Sequence, residues 1–260
     1  MKFYGKKGDV YEIPCMAAPL VEETHGWLFP VSGRPDLTAK LFHPDGLMGD
    51  MAERKEQNFR KLMGIWVPSD TLEYVLWPED GLWDEEGRFR GYVRPGLRGY
   101  CTFGSIVRKQ WSMDVDDKIH IAHQLIEAVK AVHRMDGLCG NLHRESILLS
   151  SGYEKLKLAG CEFFRFREEA GGYFSVNESV YRNPDTGFAI PRVPDDLAVA
   201  NHLKKLFERQ LLQMNLPHWE RVFFLAFLNG MNNPNRRPQM DDYEELLEQL
   251  EEQIRKCKKE

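Results

Sequence analysis

The side chains whose chemistry is easiest to recognise from spacing are the cysteines, Cys15, Cys101, Cys139, Cys161 and Cys257. Disulfide frameworks need cysteines in pairs, and structural zinc sites commonly use the Cys-x-x-Cys spacing. The cysteines here are odd in number, scattered along the chain and never in that spacing. The sequence therefore predicts neither a disulfide framework nor a zinc site, and we expect these thiols to pack as small apolar groups.

Three other stretches carry polar residues that could act on a phosphate group. Leu37–Lys40 is strand-like and ends in a lysine, Gly140–Leu149 runs from a polar loop into an apolar strand, and Leu156–Glu162 leads from a strand into Gly-Cys-Glu. In this order they resemble the phosphate-pairing lysine strand, the catalytic loop and the magnesium-binding segment of protein kinases. The resemblance covers residues 10–250. It implies an α+β, two-lobed protein-kinase-like fold, with a small N-terminal antiparallel sheet lobe and a larger helical C-terminal lobe.

A more specific likeness lies in the N-terminal third. The stretches Gly33–Pro44 and Phe89–Pro95, the latter preceded by Trp77-Pro78, resemble a group of bacterial kinase-like proteins. This resemblance implies a bacterial origin.

The residues that the resemblance marks as catalytic are of the wrong chemical type. Asn141 stands where a protein kinase has its proton-accepting Asp, and an amide cannot act as a general base near neutral pH. Ser146 replaces the magnesium-binding Asn, and Gly160 replaces the second magnesium ligand, an Asp. Divalent cations of this kind prefer carboxylate oxygens. We therefore interpret the chain as a pseudokinase, and we expect no catalytic residue, no metal and no required cofactor.

The residues of the nucleotide cleft are kept only in part. Lys40 is in the expected frame after its strand, and the resemblance gives it Glu56, or Glu53 one turn earlier, as its helical partner. Tyr92 and Val93 are expected beside an adenine slot. We interpret Lys40 mainly as half of an ion pair that fixes the helix against the sheet. This remnant cleft leaves room for weak ATP or adenosine binding.

The stretch aligned with the glycine-rich phosphate loop is Val21–Gly26, which keeps only its last glycine. Glu22 and Glu23 would repel a polyanion at short range. Tyr4–Tyr11 contains glycines and lysines in a similar pattern, but it lies far from Lys40 along the chain.

Two other functions stay open at this point. One is an atypical ATP-dependent protein kinase or nucleotidyl transferase that uses Lys40 and Glu162. The other is a metal-independent nucleotide sensor.

Positions that support the fold match the protein-kinase pattern better than the catalytic positions do. The resemblance implies an ion pair between Asp185 and Arg237, and it places Asp196 at the start of the central helix of the large lobe. The motif His133–Asp136 also looks like a catalytic signature. We reject that alignment because it leaves no strand directly after Asn141, whereas the alignment on Ser146 places both following strands.

These residues must be positioned by a sheet-rich segment and a helical one. Short strand-like runs and turn signals fill residues 1–95, and helical periodicity dominates 96–260, with a hinge at Tyr92–Gly96. We predict strands at Trp27–Val31, Leu37–Phe42, Leu72–Trp77 and Arg88–Val93. A pair of short strands is predicted at Ile147–Leu149 and Lys155–Leu158. Helices are predicted at Met48–Gly64, Asp116–Arg134, Asp196–Leu212, Trp219–Leu228 and Asp241–Lys258.

Composition narrows the function further. The chain has 260 residues and a net charge of −5. Of its residues, 42% are hydrophobic and 29% are charged. This is ordinary globular usage without a basic footprint, so we expect no nucleic-acid partner. No stretch is apolar for long enough to suggest a membrane span or a signal peptide. We expect a cytoplasmic protein that binds another protein.

Overall fold

The strand-like runs of the N-terminal third form one antiparallel sheet of seven strands in the computed structural model, in the order β2-β1-β6-β7-β5-β4-β3. The strands are β1 Lys2–Tyr4, β2 Val10–Glu12, β3 Val21–Glu23, β4 Gly26–Val31, β5 Arg34–Phe42, β6 Asp80–Trp83 and β7 Phe89–Pro95. The structure describes residues 1–14, 18–23, 25–109, 113–169, 171–177, 181–182, 189–190, 195–213 and 240–257.

The predicted hairpin connects β4 and β5, which pair antiparallel over most of their length. Its turn contains Gly33, whose φ of +73° is a conformation that side chains with a Cβ rarely adopt. Because side chains alternate across a strand, Leu37, Ala39 and Leu41 enter one apolar cluster, while Lys40 and Phe42 point to the other face. This alternation places Lys40 on the inner face of the sheet.

The glycine- and lysine-containing segment Tyr4–Tyr11 forms a second hairpin, between β1 and β2. The amide of Gly5 donates to the carbonyl of Asp9 at 2.8 Å inside this turn. Three strands, β1, β6 and β7, separate β2 from the strand that carries Lys40. The segment is therefore a structural turn at the sheet edge, away from Lys40.

One helix, α1 (Asp50–Met63), packs on the inner face of the sheet. Its acidic first turn and basic last turn complement the helix dipole. Phe59 and Leu62 are its buried residues, and the ring of Phe59 stacks on that of Tyr92 with centroids 5.7 Å apart. This contact fixes α1 against β7 and confirms the helix predicted at Met48–Gly64.

The remaining described residues form four helices and small two- or three-stranded sheets. The helices are α2 Phe103–Val107, α3 Val115–His133, α4 Asp195–Gln213 and α5 Met240–Cys257. The strands are β8 Tyr100–Thr102, β9 Gly137–Leu138, β10 Ile147–Ser150, β11 Leu156–Leu158, β12 Arg165–Arg167, β13 Tyr173–Phe174, β14 Tyr181–Arg182 and β15 Ala189–Ile190. The apolar side of α3 is almost completely buried and packs on α4 and α5. No helix in the described part of the chain is long and apolar enough to cross a membrane.

The helices expected at Asp116–Arg134, Asp196–Leu212 and Asp241–Lys258 are confirmed, as is the pairing of the strands now labelled β10 and β11. The strand predicted at Leu72–Trp77 is wrong. A 3-10 helix occupies Thr71–Glu73, because the carboxylate of Asp70 accepts from the amide of Thr71 and starts a turn. Only Val75 keeps a strand-like bridge, to Leu158.

Two further predictions are not tested in full by the described residues. The helix predicted at Trp219–Leu228 lies outside the described residues. The boundary predicted between 1–95 and 96–260 coincides with the end of β7 at Pro95, although the division into two lobes stays a prediction.

Candidate functional site

A cavity of about 530 Å³ opens between the seven-stranded sheet and the sheet of β8, β10 and β11. Val21 and Leu28 line it from the large sheet, and Leu148 lines it from β10. The chain segment 95–98, which begins at the last residue of β7, closes another side. A concave, mostly apolar cavity of this size is typical of a site for a small molecule.

Lys40 lies in β5, with its Cα opposite Tyr92 of β7 and Leu28 of β4. Its side chain is only 1% exposed. The ammonium group forms ion pairs with two carboxylates, those of Glu23 and Glu162. Burial would lower the pKa of Lys40, but the charges of Glu162 and Glu23 outweigh burial and raise it above its ordinary value. Lys40 is therefore a charged group whose partners both belong to the chain itself.

Glu162 is brought to Lys40 by the turn that follows β11. Gly160 has φ +82° and leads into a 3-10 helix at Cys161–Phe163, which turns the Glu162 side chain inward. Glu162 is 0% exposed, and the Tyr92 hydroxyl donates to its second oxygen at 2.6 Å. Burial would raise the pKa of Glu162, but the charge and hydrogen bonds of Lys40 and Tyr92 hold it below its ordinary value.

The expected partner of Lys40 on the helix does not contact it. Glu56 lies on another face of α1, where its carboxylate accepts from Trp83 Nε1 at 2.9 Å and from Arg60 one turn later at 2.6 Å. The residue of α1 whose charge interacts with Lys40 and Glu162 is a cation, Lys55. Burial lowers the pKa of Lys55, and the charge of Lys40 lowers it further, against the opposing effect of Glu162. The pairing predicted with Glu56 or Glu53 is replaced by pairing with Glu23 and Glu162.

Glu23 ends β3, the strand that occupies the place of the predicted phosphate loop. It is paired in register with Gly26, and it brings its carboxylate within reach of both Lys40 and Arg94, at 3.8 Å from Arg94 Nη2. A Cβ on Gly26 would lie 2.2 Å from the carbonyl oxygen of Leu41. The glycine kept in this segment is thus needed for close strand approach, which removes one argument for a phosphate role.

Asn141, Ser146 and Gly160, the positions that the resemblance aligns with catalytic residues, lie near one another. The Ser146 hydroxyl donates to the carbonyl of His143 at 2.7 Å and accepts from the amide of His143 at 3.0 Å. The carbonyl of Asn141 lies 3.2 Å from the same hydroxyl, and a Cβ on Gly160 would lie 3.8 Å from that of Ser146. No group of three His, Cys, Asp or Glu residues that could hold a metal occurs in the part of the chain that the structure describes.

The aspartate that supports this loop is Asp195, one residue before the predicted Asp196. Its carboxylate accepts from the amides of Cys139 at 2.7 Å and Gly140 at 3.2 Å, and it lies 3.0 Å from His133 Nε2. Burial would lower the pKa of His133, but the hydrogen bond and charge of Asp195 raise it above its ordinary value. Asp196 was placed at the start of the central helix, and the helix begins one residue earlier, at Asp195.

Tyr92 and Val93 were expected beside an adenine slot. Both are described by the structure, and neither lines the cavity. Val93 points to the opposite face of the sheet, into the cluster of Leu37, Ala39 and Leu41. Tyr92 is on the inner face but is covered by Phe59. The predicted pair of Asp185 and Arg237 lies outside the described residues.

Sequence reasoning missed Arg94, which lines the cavity and is only 4% exposed. The available signal was the alternation along β7, because Arg94 and Tyr92 are two residues apart and must share a face. An arginine in an otherwise buried strand is unusual, since arginine is almost never fully buried without a partner.

Comparisons with known proteins agree with the geometry at the level of the fold. Neither the protein-family models nor the curated proteins gave a match to this chain. Among solved structures, that of vaccinia related kinase 3 is similar with a TM-score of 0.52 and 17% sequence identity, over 86% of this chain and 72% of that chain. This similarity establishes a protein-kinase-like fold for the chain.

Proposed function

We propose that this chain is a pseudokinase, a binding or regulatory module that keeps the protein-kinase-like fold and does not transfer phosphate. It would act by presenting its cleft or its surface to a protein partner. The observation that carries the proposal is the state of Lys40. Its ammonium is neutralised by Glu23 and Glu162, and among the described residues that line the cavity neither Lys40 nor Glu162 occurs.

The physical reason is that phosphoryl transfer depends on positioning and charge stabilisation rather than on covalent chemistry by the protein. A lysine that pairs with phosphates must offer its charge to them. Here a bound polyphosphate would have to displace Glu23, and it would lie against that carboxylate in a partly buried site, where charges interact strongly. The cluster therefore favours the chain's own carboxylates over a phosphate.

The residues at three other positions also argue against phosphoryl transfer. Ser146 has its hydroxyl engaged by its own loop, and Gly160 has no side chain, so neither supplies a carboxylate to a magnesium ion. Asn141 cannot take the proton of an attacking hydroxyl. Restoring one of these three groups leaves the other two missing.

The test is transfer of radiolabel from ATP to generic protein substrates and to the chain itself, with magnesium and with manganese. We expect no transfer above that of a denatured sample, and no gain from Asn141→Asp alone. An active protein kinase run in parallel is the control for the assay. Transfer by the unmodified chain that disappears in Lys40→Ala would refute the proposal.

A second candidate is an atypical kinase or nucleotidyl transferase, favoured by the burial of Lys40 and Glu162 next to the cleft. A metal-independent nucleotide sensor is the third. Ligands that bind the folded state raise the melting temperature, so thermal shifts separate the three. Stabilisation by ATP only with a divalent metal favours the enzyme, and stabilisation without metal favours the sensor. For a pseudokinase we expect ATP to stabilise the chain no more than adenosine does.

A further inference from the structure

Lys55 of α1 is a partly buried lysine, and no carboxylate of the described residues forms an ion pair with it. Its Nζ atom lies 5.0 Å from the centroid of the Phe42 ring. A Cβ built on Gly46 would lie 2.8 Å from the same atom. The aromatic ring and the 3-10 helix at Pro44–Leu47 thus border the amine on two sides. Burial of this kind favours the neutral form of an amine over the charged form.

Two other basic side chains lie close enough to interact with Lys55. Burial lowers the pKa of Lys55 most, the charge of Glu162 opposes this effect, and the charge of Lys40 adds to it. The carboxylate of Glu162 is itself paired with Lys40. His25 packs its ring against that of Phe163 at 5.1 Å. Burial lowers the pKa of His25, and the charge of Lys55 lowers it further.

Two other lysines show what is different about Lys55. Lys61, on the same helix, is more exposed and pairs with Glu168. Lys157 is partly buried like Lys55, but its ammonium donates to the carbonyl oxygen of Leu72 at 2.7 Å. In both, an acceptor binds the protonated group. A lysine reacts as a nucleophile only in its neutral form, so Lys55 is better prepared to react than either of them.

We propose that Lys55 is a modification site that a small acyl phosphate acylates directly. The neutral amine attacks the carbonyl carbon of the donor, so a C–N bond forms and the C–O bond to the phosphate breaks. Inorganic phosphate leaves with the electron pair, and the surplus proton of the amine goes to water. The donor must be small because the amine is partly buried beside Phe42. The product is a neutral amide that no longer places a positive charge near His25.

The experiment treats the folded chain with acetyl phosphate at neutral pH and measures acetylation of each lysine by mass spectrometry of peptides. Because the neutral fraction of an amine changes about tenfold for each pKa unit, the initial rate at Lys55 should exceed that at Lys61 by about threefold or more. Exposure alone predicts the opposite order, since Lys61 is the more exposed of the two. In the chain unfolded in urea, where burial is lost, the two rates should agree within about twofold.

The pKa of His25, followed by NMR of its ring, gives a second measurement. Lys55→Gln removes the charge, as acylation does, and should raise the pKa of His25, because the charge of Lys55 lowers it in the unmodified chain. Lys55→Arg is the matched control, since it keeps the charge and should leave this pKa lowered. Glutamine and arginine both favour helix, so neither variant should disturb α1. The chain acetylated at Lys55 should behave like Lys55→Gln.

Acetylation of Lys55 that is no faster than that of Lys61 would overturn the assignment. A preference for Lys55 that persists in the unfolded chain would also overturn it, because the preference would then come from local sequence and not from the fold. So would an acetylated chain in which the pKa of His25 stays lowered. The reaction uses no ATP, so none of these results depends on whether the chain transfers phosphate.

Discussion

Replacing Lys40 by methionine tests whether the buried charge cluster stabilises the fold. Methionine has a similar length and no charge, so the main change is the loss of the cation. Among the described residues, Glu162, which is 0% exposed, then keeps the Tyr92 hydroxyl at 2.6 Å as its hydrogen-bond partner. Glu23 is half-buried and still has Arg94 beside it at 3.8 Å. The loss of folding stability should therefore come mainly from the unpaired charge of Glu162.

The size of the effect follows from the burial of both partners. Removing one member of a well-buried ion pair costs about 3–5 kcal/mol, because the other charge is left without compensation. A native domain is stable by only about 5–15 kcal/mol, so Lys40→Met should be folded but markedly weakened. The double variant Lys40→Met, Glu162→Gln removes the stranded charge and keeps an acceptor for Tyr92. It should regain at least about 2 kcal/mol.

The pH dependence of stability gives this prediction a second test. The pKa of Glu162 is held below its ordinary value of 4.5, so its pairing stabilises the fold above about pH 4.5, and this contribution is lost as the pH falls through the lowered pKa. In Lys40→Met, burial without the cation should raise the pKa of Glu162 instead. That variant then gains stability as pH falls. The difference between the two proteins should shrink from pH 7 to pH 4.

Urea unfolding followed by circular dichroism measures these differences, with Lys61→Met as a control. Lys61 pairs with Glu168 on the surface and is half exposed, so its loss should cost no more than about 1 kcal/mol. The reasoning is refuted if Lys40→Met is as stable as the unmodified chain. It is also refuted if the losses in the double variant are simply additive, since additivity would mean that Lys40 and Glu162 do not interact.

Two further predictions concern the residues that hold the loop between α3 and β10. Burial lowers the pKa of His202 from 6.5 to about 4, so stability should fall as pH drops from 6.5 to 4. A pKa difference of about 2.5 corresponds to about 3 kcal/mol, and His202→Gln should flatten this part of the stability curve in urea titrations by that amount. An equally steep curve in the variant would contradict the assignment. For Asp195→Asn, which weakens the acceptor of two loop amides and of His133, we expect a loss of about 1.5–3 kcal/mol. Asp196→Asn should cost less, and the reverse order in thermal melts would contradict the assignment of the loop amides to Asp195.

The β4–β5 hairpin and the position of Lys40 could be predicted from sequence because they depend on local signals. Alternation of apolar residues and the Ser-Gly turn fix the β4–β5 hairpin, and alternation then puts Lys40 on the opposite side from Ala39 and Leu41. The α1 and α3 helices follow from the spacing of their apolar residues in the same way.

The partners of Lys40 could not be predicted because they depend on contacts between distant segments. Glu23 and Glu162 are 17 and 122 residues from Lys40 along the chain. Glu162 reaches the cluster because the backbone turns at Gly160 into one turn of 3-10 helix. Asp195 was missed for a smaller reason, since helix starts are uncertain by one or two residues.

Two positions that depart from the protein-kinase pattern, Glu23 and Gly160, also complete the charge cluster around Lys40. A glycine-rich strand end would leave Lys40 open to phosphate, whereas Glu23 closes it from one side. The positive φ of Gly160 lets the chain turn and bring Glu162 to Lys40 from the other side. A working kinase needs the lysine charge to be available in the cleft, and here that charge is used to hold β3, β5 and the turn after β11 together. Stability of this region and phosphoryl transfer thus make opposite demands on one ammonium group. For this reason, we expect substitutions that free Lys40 to weaken the fold before they create any activity.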